Sequence, residues 1–169
     1  MLAITLGLLA LALLILGLAL IIANVAVLPF GAPYLPSLKP HVAAALELLD
    51  LKPGQVIYDL GCGDGRFLIA AAKAGYQAVG YELNPFMFGL SWLVTRRYRR
   101  QVTVRFGNFW KADLSDADAV YVFLFDRYMK QLDKKLKATG KRLKLASHTF
   151  KIPGKPIITQ NHAVYLYEY

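Results

Sequence analysis

Three glycines at alternate positions constrain the fold of this chain more than any other feature. They lie in the sequence IYDLGCGDGR, residues 57–66, where a β-type run leads directly into Gly61, Gly63 and Gly65. Glycine is dense where a backbone turns sharply or where a ligand comes close to the main chain. Because helical periodicity follows at 65–73, the pattern predicts a strand, a tight turn and a helix, with the turn as a candidate ligand site.

Strand and helix patterns alternate along the rest of the chain. Alternating or continuous apolar runs predict strands, and amphipathic runs bounded by Pro or Gly predict helices. The predicted strands are 55–60, 77–82, 102–106, 119–125 and 142–149, with a hairpin in the tail from 155, and the predicted helices are 41–49, 65–73, 85–99 and 127–137. We therefore expect an α/β fold with a mostly parallel sheet and an antiparallel C-terminal edge.

The N-terminal segment contains no charged side chain before Lys39, and residues 2–28 are almost wholly apolar. About 20 such residues suffice for a helix to cross a bilayer. A cleavable signal peptide would have a basic start and a shorter apolar stretch, and a buried helix of this length would need a larger protein around it. Pro29, Pro33 and Pro36 end the helix. We predict one transmembrane helix at 1–29, a linker with the motif PYLPS at 30–39, and a globular domain at 40–169.

Charge predicts the orientation and the surroundings of this domain. All basic residues follow the apolar segment, so the positive-inside tendency places the domain in the cytoplasm, or in the mitochondrial matrix of a eukaryote. The net charge is +9, with RRYRR at 96–100 and a lysine-rich stretch at 130–144. We expect these groups to contact anionic lipid rather than nucleic acid; a plain solvated surface is the other interpretation.

Cys62 is the one cysteine of the sequence, and no Cys and His spacing predicts a metal site.

Acidic residues indicate which ligand binds the glycine turn. Dinucleotide-binding turns have the spacing G-x-G-x-x-G, whereas this turn has G-x-G-x-G with Asp64 inside it. Asp64, and Asp59 at the end of the strand, would repel a pyrophosphate but would attract the ammonium group of an amino-acid moiety. Glu82 ends the next strand, where an acidic side chain accepts hydrogen bonds from ribose hydroxyls.

An adenine-binding element is expected after the third strand. Asn108 can bind an adenine edge through its amide, and Phe109 or Trp110 can flank the ring. An amino acid, a ribose and an adenine with no phosphate between them describe S-adenosylmethionine.

The segments DLGCGDGR, YELNP and WKADLS, in that order and spacing, resemble class I S-adenosylmethionine-dependent methyltransferases. More narrowly, they are similar to a family of small membrane-tethered protein-lysine methyltransferases, whose mitochondrial members modify the adenine nucleotide translocase and the ATP synthase c subunit. That family has an apolar N-terminal segment and a motif like APYLPS, residues 32–37 here. The resemblance covers residues 33–126, and FDRYMKQL at 125–132 departs from the more apolar, proline-containing turn of the family.

The resemblance implies a Rossmann-like methyltransferase fold, S-adenosylmethionine as cofactor, and N-methylation of a lysine on a membrane-associated protein. The residues expected to bind the cofactor are Asp59, Gly61, Cys62, Gly63, Asp64, Gly65, Glu82, Leu83, Asn84, Asn108 and Phe109. Two other functions stay open: methylation of a small or lipid-like molecule, and a non-catalytic module that binds S-adenosylmethionine.

Two residues are candidates for catalysis at the acceptor channel, where a neutral lysine must meet the methyl group at ~3–3.5 Å. They are Tyr34, in PYLPS, and Asp126, after the fourth strand. Their side chains can guide a proton away from the lysine. Tyr34 alternatively anchors the chain at a membrane interface, and Asp126 alternatively caps the helix that follows it.

Overall fold

The computed structural model describes residues 2–27 and 34–169. Within these ranges the helices are α1 (Leu2–Val27), α2 (Lys39–Leu49), α3 (Arg66–Lys73), α4 (Pro85–Thr95) and α5 (Asp126–Lys137). The strands are β1 (Val56–Leu60), β2 (Gln77–Glu82), β3 (Val102–Phe106), β4 (Ala119–Val122), β5 (Lys144–His148), β6 (Thr159–Asn161) and β7 (Val164–Glu168). Short 3-10 turns cover Arg96–Tyr98 and Phe109–Lys111.

The described strands form a single sheet with the order β3-β2-β1-β4-β5-β7-β6. Strands β1 to β5 are parallel, and β7 is antiparallel to both β5 and β6. The predicted Rossmann-like sheet with an antiparallel C-terminal edge is therefore confirmed. The chain order reverses between β1 and β4, and folds of this type bind ligands at that point, beyond the carboxyl ends of the strands.

Two apolar layers hold the helices against the sheet. On one face, α2 and α3 bury Leu49, Phe67 and Leu68 against sheet residues that include Ile57. On the other face, the amphipathic helix α5 buries Met129, Leu132 and Leu136, spaced three and four residues apart as helical periodicity requires. Helix α4 packs beside α3 and against β2 and β3. The sheet is thus covered on both faces, which explains its continuous apolar strands.

Two predicted elements end earlier than expected. The strand predicted at 119–125 stops at Val122 because its neighbours β1 and β5 pair only with residues 119–122. The next two residues, Phe123 and Leu124, line the cleft described below instead. The helix predicted at 85–99 ends at Thr95 and continues as the 3-10 turn Arg96–Tyr98.

Helix α1 is long and apolar enough to cross a membrane over Ile4–Ile22, and the side chains of this stretch are not buried against the domain. The predicted boundary between residues 29 and 30 lies outside the described residues. Residues 34–38 form no regular secondary structure, and α2 begins at Lys39, one residue before the predicted start of the globular domain.

Candidate active site

A cleft lies at the carboxyl end of β1, β2 and β4, where the order of the strands reverses. It holds about 850 Å³ of empty space, part of which is open solvent at its mouth. Its walls come from five segments that are distant in sequence: residues 34–37, the glycine turn, the loop after β2, the loop after β3, and the residues around the end of β4.

The glycine turn leaves its backbone accessible from the cleft. Gly61 has a φ of +101°, which favours glycine, and a β-carbon there would meet no atom within 4 Å. The N–H groups of Gly61 and Cys62 both donate to the carbonyl of Tyr81, at 2.9 and 3.0 Å. The turn is therefore fastened to the end of β2 while its outer side stays open to a ligand.

Gly65 has a different role from the other two glycines of the turn. It precedes the first residue of α3, and a β-carbon there would stand 2.5 Å from Oγ of Ser91 on α4. Gly65 is not among the residues that line the cleft. Its lack of a side chain lets α4 pack against the turn, and its direct contact with a cofactor stays a prediction.

Carboxylates dominate the charge of the cleft. Asp59 is 3% exposed, and burial, together with the charges of Glu82 and Asp64, raises the pKa of Asp59 well above its usual value. Burial also raises the pKa of Asp64, but hydrogen bonds from Arg66 and Tyr34 outweigh it and leave that pKa below normal. Among the described lining residues, Arg66 is the one basic side chain, and its guanidinium already contacts Asp64 at 2.7 Å. A cationic ligand therefore fits this cleft, whereas a phosphate would meet uncompensated negative charge.

Glu82 is held in a fixed orientation by the backbone around it. Its two carboxylate oxygens accept hydrogen bonds from the N–H groups of Gly63 and Asn84, each at 2.8 Å. Burial raises the pKa of Glu82, while these N–H groups partly oppose that shift. Each oxygen keeps a second lone pair, so the carboxylate can accept further hydrogen bonds from a ligand's hydroxyl groups.

Asn84 and Leu83 follow Glu82 and line the same wall of the cleft. The buried Oδ1 of Asn84 accepts hydrogen bonds from the N–H groups of Phe86 and Met87, and so caps the N-terminus of α4. Since its own N–H donates to Glu82, Asn84 positions the carboxylate as well as the helix.

The loop after β3 brings Asn108 and Phe109 to the far end of the cleft. Oδ1 of Asn108 accepts the N–H of Trp110 at 3.0 Å, which orients its amide. Phe109 is buried. Trp110 packs against Phe109, with ring centroids 4.7 Å apart, and is not one of the lining residues. Of the two aromatic candidates, the structure thus brings Phe109 to the cleft wall.

Residues 34–37, from PYLPS, cover the cleft and are called the roof segment below. The Tyr34 hydroxyl lies near the Asp64 carboxylate, and burial together with this carboxylate raises the pKa of Tyr34. Nη1 of Arg66 donates to the carbonyl of Ser37 at 2.9 Å. Arg66 also holds Asp64 through Nε and Nη2. The roof segment is therefore fastened to the glycine turn at both ends.

A buried polar network that the sequence did not suggest lies under the roof segment. Oγ of Ser37 is 2.8 Å from the Tyr121 hydroxyl, and Nδ1 of His148 is 3.4 Å from each of them. His41 stacks on His148 with ring centroids 4.4 Å apart. Burial, and then the charge of His41, lower the pKa of His148 to about 4. His148 is therefore uncharged at neutral pH. Tyr121 pairs in register with Asp59 of β1, which brings the network beside the carboxylates.

The surroundings of two predicted site residues, Asp126 and Cys62, do not favour a chemical role. Asp126 is exposed in the first turn of α5 and is not among the residues that line the cleft, so its catalytic role stays a prediction. Cys62 lines the cleft but is buried beside Ser91, and burial and the charge of Asp59 raise the pKa of its thiol well above normal. A protonated, buried thiol suits a packing residue rather than a nucleophile.

The sequence matches a known domain model over all of this site except the roof segment. Residues 59–158 match the family described as the ANTKMT methyltransferase domain. The chain belongs to this methyltransferase family. The resemblance that the three motifs indicated is thereby confirmed.

Two curated relatives of the methyltransferase domain carry names that specify lysine. The lysine N-methyltransferase of Xenopus laevis that is named for the C subunit of ATP synthase is 41% identical over 106 residues, 62% of this chain and 46% of the relative. The protein-lysine N-methyltransferase of Saccharolobus islandicus is 34% identical over 148 residues, 80% of this chain and 92% of the relative. The match thus spans about half of the frog protein and nearly all of the archaeal one.

A solved structure with the same architecture is an RNA methyltransferase from Salinibacter ruber in complex with S-adenosyl-L-homocysteine. It has a TM-score of 0.73 and 28% identity to this chain, and the superposition covers 80% of this chain and 92% of that one.

Proposed function

We propose that this methyltransferase domain transfers a methyl group from S-adenosylmethionine to the ε-amine of a lysine on a membrane-associated protein. Membership of the family and the lysine N-methyltransferase names of two relatives support the reaction. One observation carries the proposal: the carboxylates of Asp59, Asp64 and Glu82 line the same cleft as an open glycine turn, and the hydroxyl groups of Ser37 and Tyr121 line it beside them.

Each part of the cofactor is assigned to the residues of the cleft whose charge or hydrogen-bonding groups suit it. Asp59 and the open backbone at Gly61 suit the ammonium group of the methionine moiety, and Glu82 suits the two ribose hydroxyls. Asn108 and Phe109 suit the adenine. When bound, S-adenosylmethionine supplies an electrophilic methyl group on a positively charged sulfur, and the surrounding carboxylates favour that charge.

The acceptor lysine is assigned to the side of the cleft under the roof segment. A lysine attacks only as the neutral amine, so the site has to accept a proton or its hydrogen bond without adding positive charge. The hydroxyl oxygens of Ser37 and Tyr121 are acceptors, and His148 is uncharged with its pKa near 4. Tyr34 closes this region from water because its ring lies directly over the glycine turn.

Helix α1 is proposed to span the membrane, with the catalytic domain on the cytoplasmic or matrix side. Its length, its exposed apolar side chains and the basic residues that follow it support this arrangement. A tether raises the effective concentration of substrates in the same bilayer without additional contacts, which suits a relative named for a component of ATP synthase.

Methyl transfer from tritiated S-adenosylmethionine tests the reaction. The full chain, reconstituted in lipid vesicles, is incubated with membrane proteins, total lipid and RNA in separate arms. We expect label in protein, recovered as methyl-lysine after acid hydrolysis, and much less label with Glu82→Ala when the cofactor is kept below saturation. The exposed Glu47→Ala serves as the matched control.

Each contrary outcome of this experiment identifies another function. Label in the lipid arm would assign the enzyme to a lipid-like substrate, and label in RNA would match the Salinibacter structure. Heat of binding with S-adenosylmethionine in calorimetry, but no transfer in any arm, would indicate a binding module. All three outcomes contradict the proposal.

A further inference from the structure

Helix α4 presents large apolar side chains to solvent instead of to the core. Its buried residues are Ser91 and Thr95, and Oγ of Ser91 lies close to Gly65 and Cys62. Five exposed side chains share the outer surface: Phe86, Leu90, Trp92, Leu93 and Val94. Trp92 is 53% exposed and Leu93 is 55% exposed. Soluble proteins rarely expose apolar residues in such density on one element, so this surface is built to contact something apolar.

A run of arginines follows directly on this apolar surface. Arg96, Arg97, Arg99 and Arg100, called the arginine segment here, are all exposed. The guanidinium of Arg96 lies 5.3 Å from the centre of the Trp92 ring. Residues 83–112 contain six basic and no acidic side chains, so the stretch of chain that includes α4 carries only positive charge. A tryptophan at the border between apolar and basic side chains is typical of helices that lie at a bilayer surface.

Helix α1 contacts α4. The segment proposed to span the membrane therefore adjoins the same apolar surface. This contact, together with the positive charge, favours an anionic bilayer over a second protein as the occupant of the surface.

We propose that α4 and the arginine segment bind the surface of an anionic bilayer. The apolar side chains of α4 insert at the boundary of headgroups and acyl chains, and the arginines contact lipid phosphates. This inference rests on the proposed membrane location of the chain. Because Asn84 both lines the cleft and caps the start of α4, inserting α4 holds the cleft at the level of the lipid headgroups.

The two tryptophans of the sequence provide an internal control. Trp92 lies on the outer surface of α4, whereas Trp110 packs between Phe109 and Tyr128 in the domain. In the full-length variant Trp110→Phe the tryptophan fluorescence comes from Trp92 alone, and in Trp92→Phe it comes from Trp110 alone. Each is reconstituted in vesicles of phosphatidylcholine and phosphatidylglycerol with brominated acyl chains, which quench fluorescence on contact. We expect Trp92 to be quenched at least roughly twofold more than Trp110, since interfacial helices lie about 5–10 Å into the lipid.

Charge reversal tests the arginine segment separately. Arg97→Glu with Arg100→Glu, in the Trp110→Phe chain, should reduce the quenching of Trp92 in phosphatidylglycerol vesicles toward its level in pure phosphatidylcholine. Lys130→Glu with Lys134→Glu makes the same change of charge on α5, which packs on the other face of the sheet from α3, and should leave the quenching unchanged. An equal loss of quenching would assign the lipid contact to the lysine-rich stretch and overturn the inference.

Flotation of the same vesicles separates the two proposals. A chain that does not float with lipid contradicts the membrane span itself. A chain that floats while Trp92 is quenched no more than Trp110 overturns the insertion of α4 and leaves the span standing. A blue-shifted Trp92 emission without bromine quenching would show that protein, such as a second copy of the chain, covers this surface, and it would also overturn the inference.

Discussion

The ring of Tyr34 lies so close to Gly63 that a β-carbon at Gly63 would stand 2.8 Å from two of the ring carbons. Gly63 also has a φ of +53°, a left-handed conformation that costs other residues roughly 1–2 kcal/mol. The roof segment and the glycine turn therefore fit together only because position 63 lacks a side chain.

Gly63→Ala should weaken cofactor binding about tenfold or more, because the ring and the turn must move apart. Calorimetric titration with S-adenosyl-L-homocysteine measures this loss. Gly54 has a φ of +87° with open space around it, so Gly54→Ala is the control for backbone strain alone. Equal losses in the two variants would contradict a specific role for the contact with Tyr34.

Glu82→Gln should weaken cofactor binding nearly as much as Glu82→Ala, by about 1–3 kcal/mol. The amide retains the shape of the carboxylate, but its NH₂ group would face one of the two N–H donors, from Gly63 or Asn84. The affinity of each variant for S-adenosyl-L-homocysteine tests this expectation. Wild-type affinity in the glutamine variant would exclude the carboxylate from ribose binding.

Tyr121→Phe should reduce turnover roughly 10- to 100-fold while the affinity for the cofactor stays unchanged. The ring keeps its stacking on Phe67, at 4.0 Å between centroids, and only the hydroxyl beside Ser37 and His148 is lost. Single-turnover methyl transfer, compared with calorimetric affinity, separates the two effects. Tyr169→Phe, which removes a hydroxyl bonded to Asp133, is the control and should retain full turnover.

Cofactor affinity should rise with pH as Asp59 ionises. Burial raises its pKa well above the value in the unfolded chain, so the carboxylate is neutral at low pH and attracts the ammonium group only above the raised pKa. The stability of the cofactor-free protein should change with pH in the opposite direction and fall as Asp59 ionises. A raised acidic pKa stabilises the fold fully below the unfolded pKa of about 3.9, and this stabilisation is lost as pH rises through the folded pKa.

Asp59→Asn should remove both dependences on pH. The variant should bind the cofactor more weakly at neutral pH, yet its cofactor-free form should be at least as stable to heat as the parent. Titration calorimetry and thermal unfolding across the pH range measure the two effects. A pH dependence of affinity that survives in Asp59→Asn would assign it to another group, such as Glu82, whose pKa burial also raises.

The fold and the cofactor side of the cleft were predictable because their signals are local. Strand periodicity locates β1 and β2, and the carboxyl ends of neighbouring parallel strands meet at one edge. Asp59 and Glu82 end those two strands, so their proximity follows from the pattern alone. The exact end of β4 did not follow, because Val122 marks the limit of its neighbours' pairing rather than any change in hydrophobicity.

The acceptor side of the cleft could not be predicted in the same way. Ser37, Tyr121 and His148 are separated by 84 and 27 positions, and Tyr121 lies in an apolar run where tyrosine is an ordinary core residue. Asp126 was proposed for catalysis because it follows β4; it is exposed in the first turn of α5 and does not line the cleft, and its catalytic role stays a prediction. Sequence alone does not fix where the chain turns from strand to helix.

The roof segment follows the proposed membrane anchor almost immediately in sequence. From Val27, the last residue of α1, to Tyr34 there are seven chain steps, which reach at most about 25 Å when fully extended. The linker that joins α1 to the catalytic domain is therefore short, and it ends in the roof segment that covers the cofactor cleft. If α1 spans the bilayer as proposed, a substrate that pulled the domain away from the lipid would strain that cover and loosen the cofactor, and the proposed reaction would be restricted to lysines close to the membrane surface.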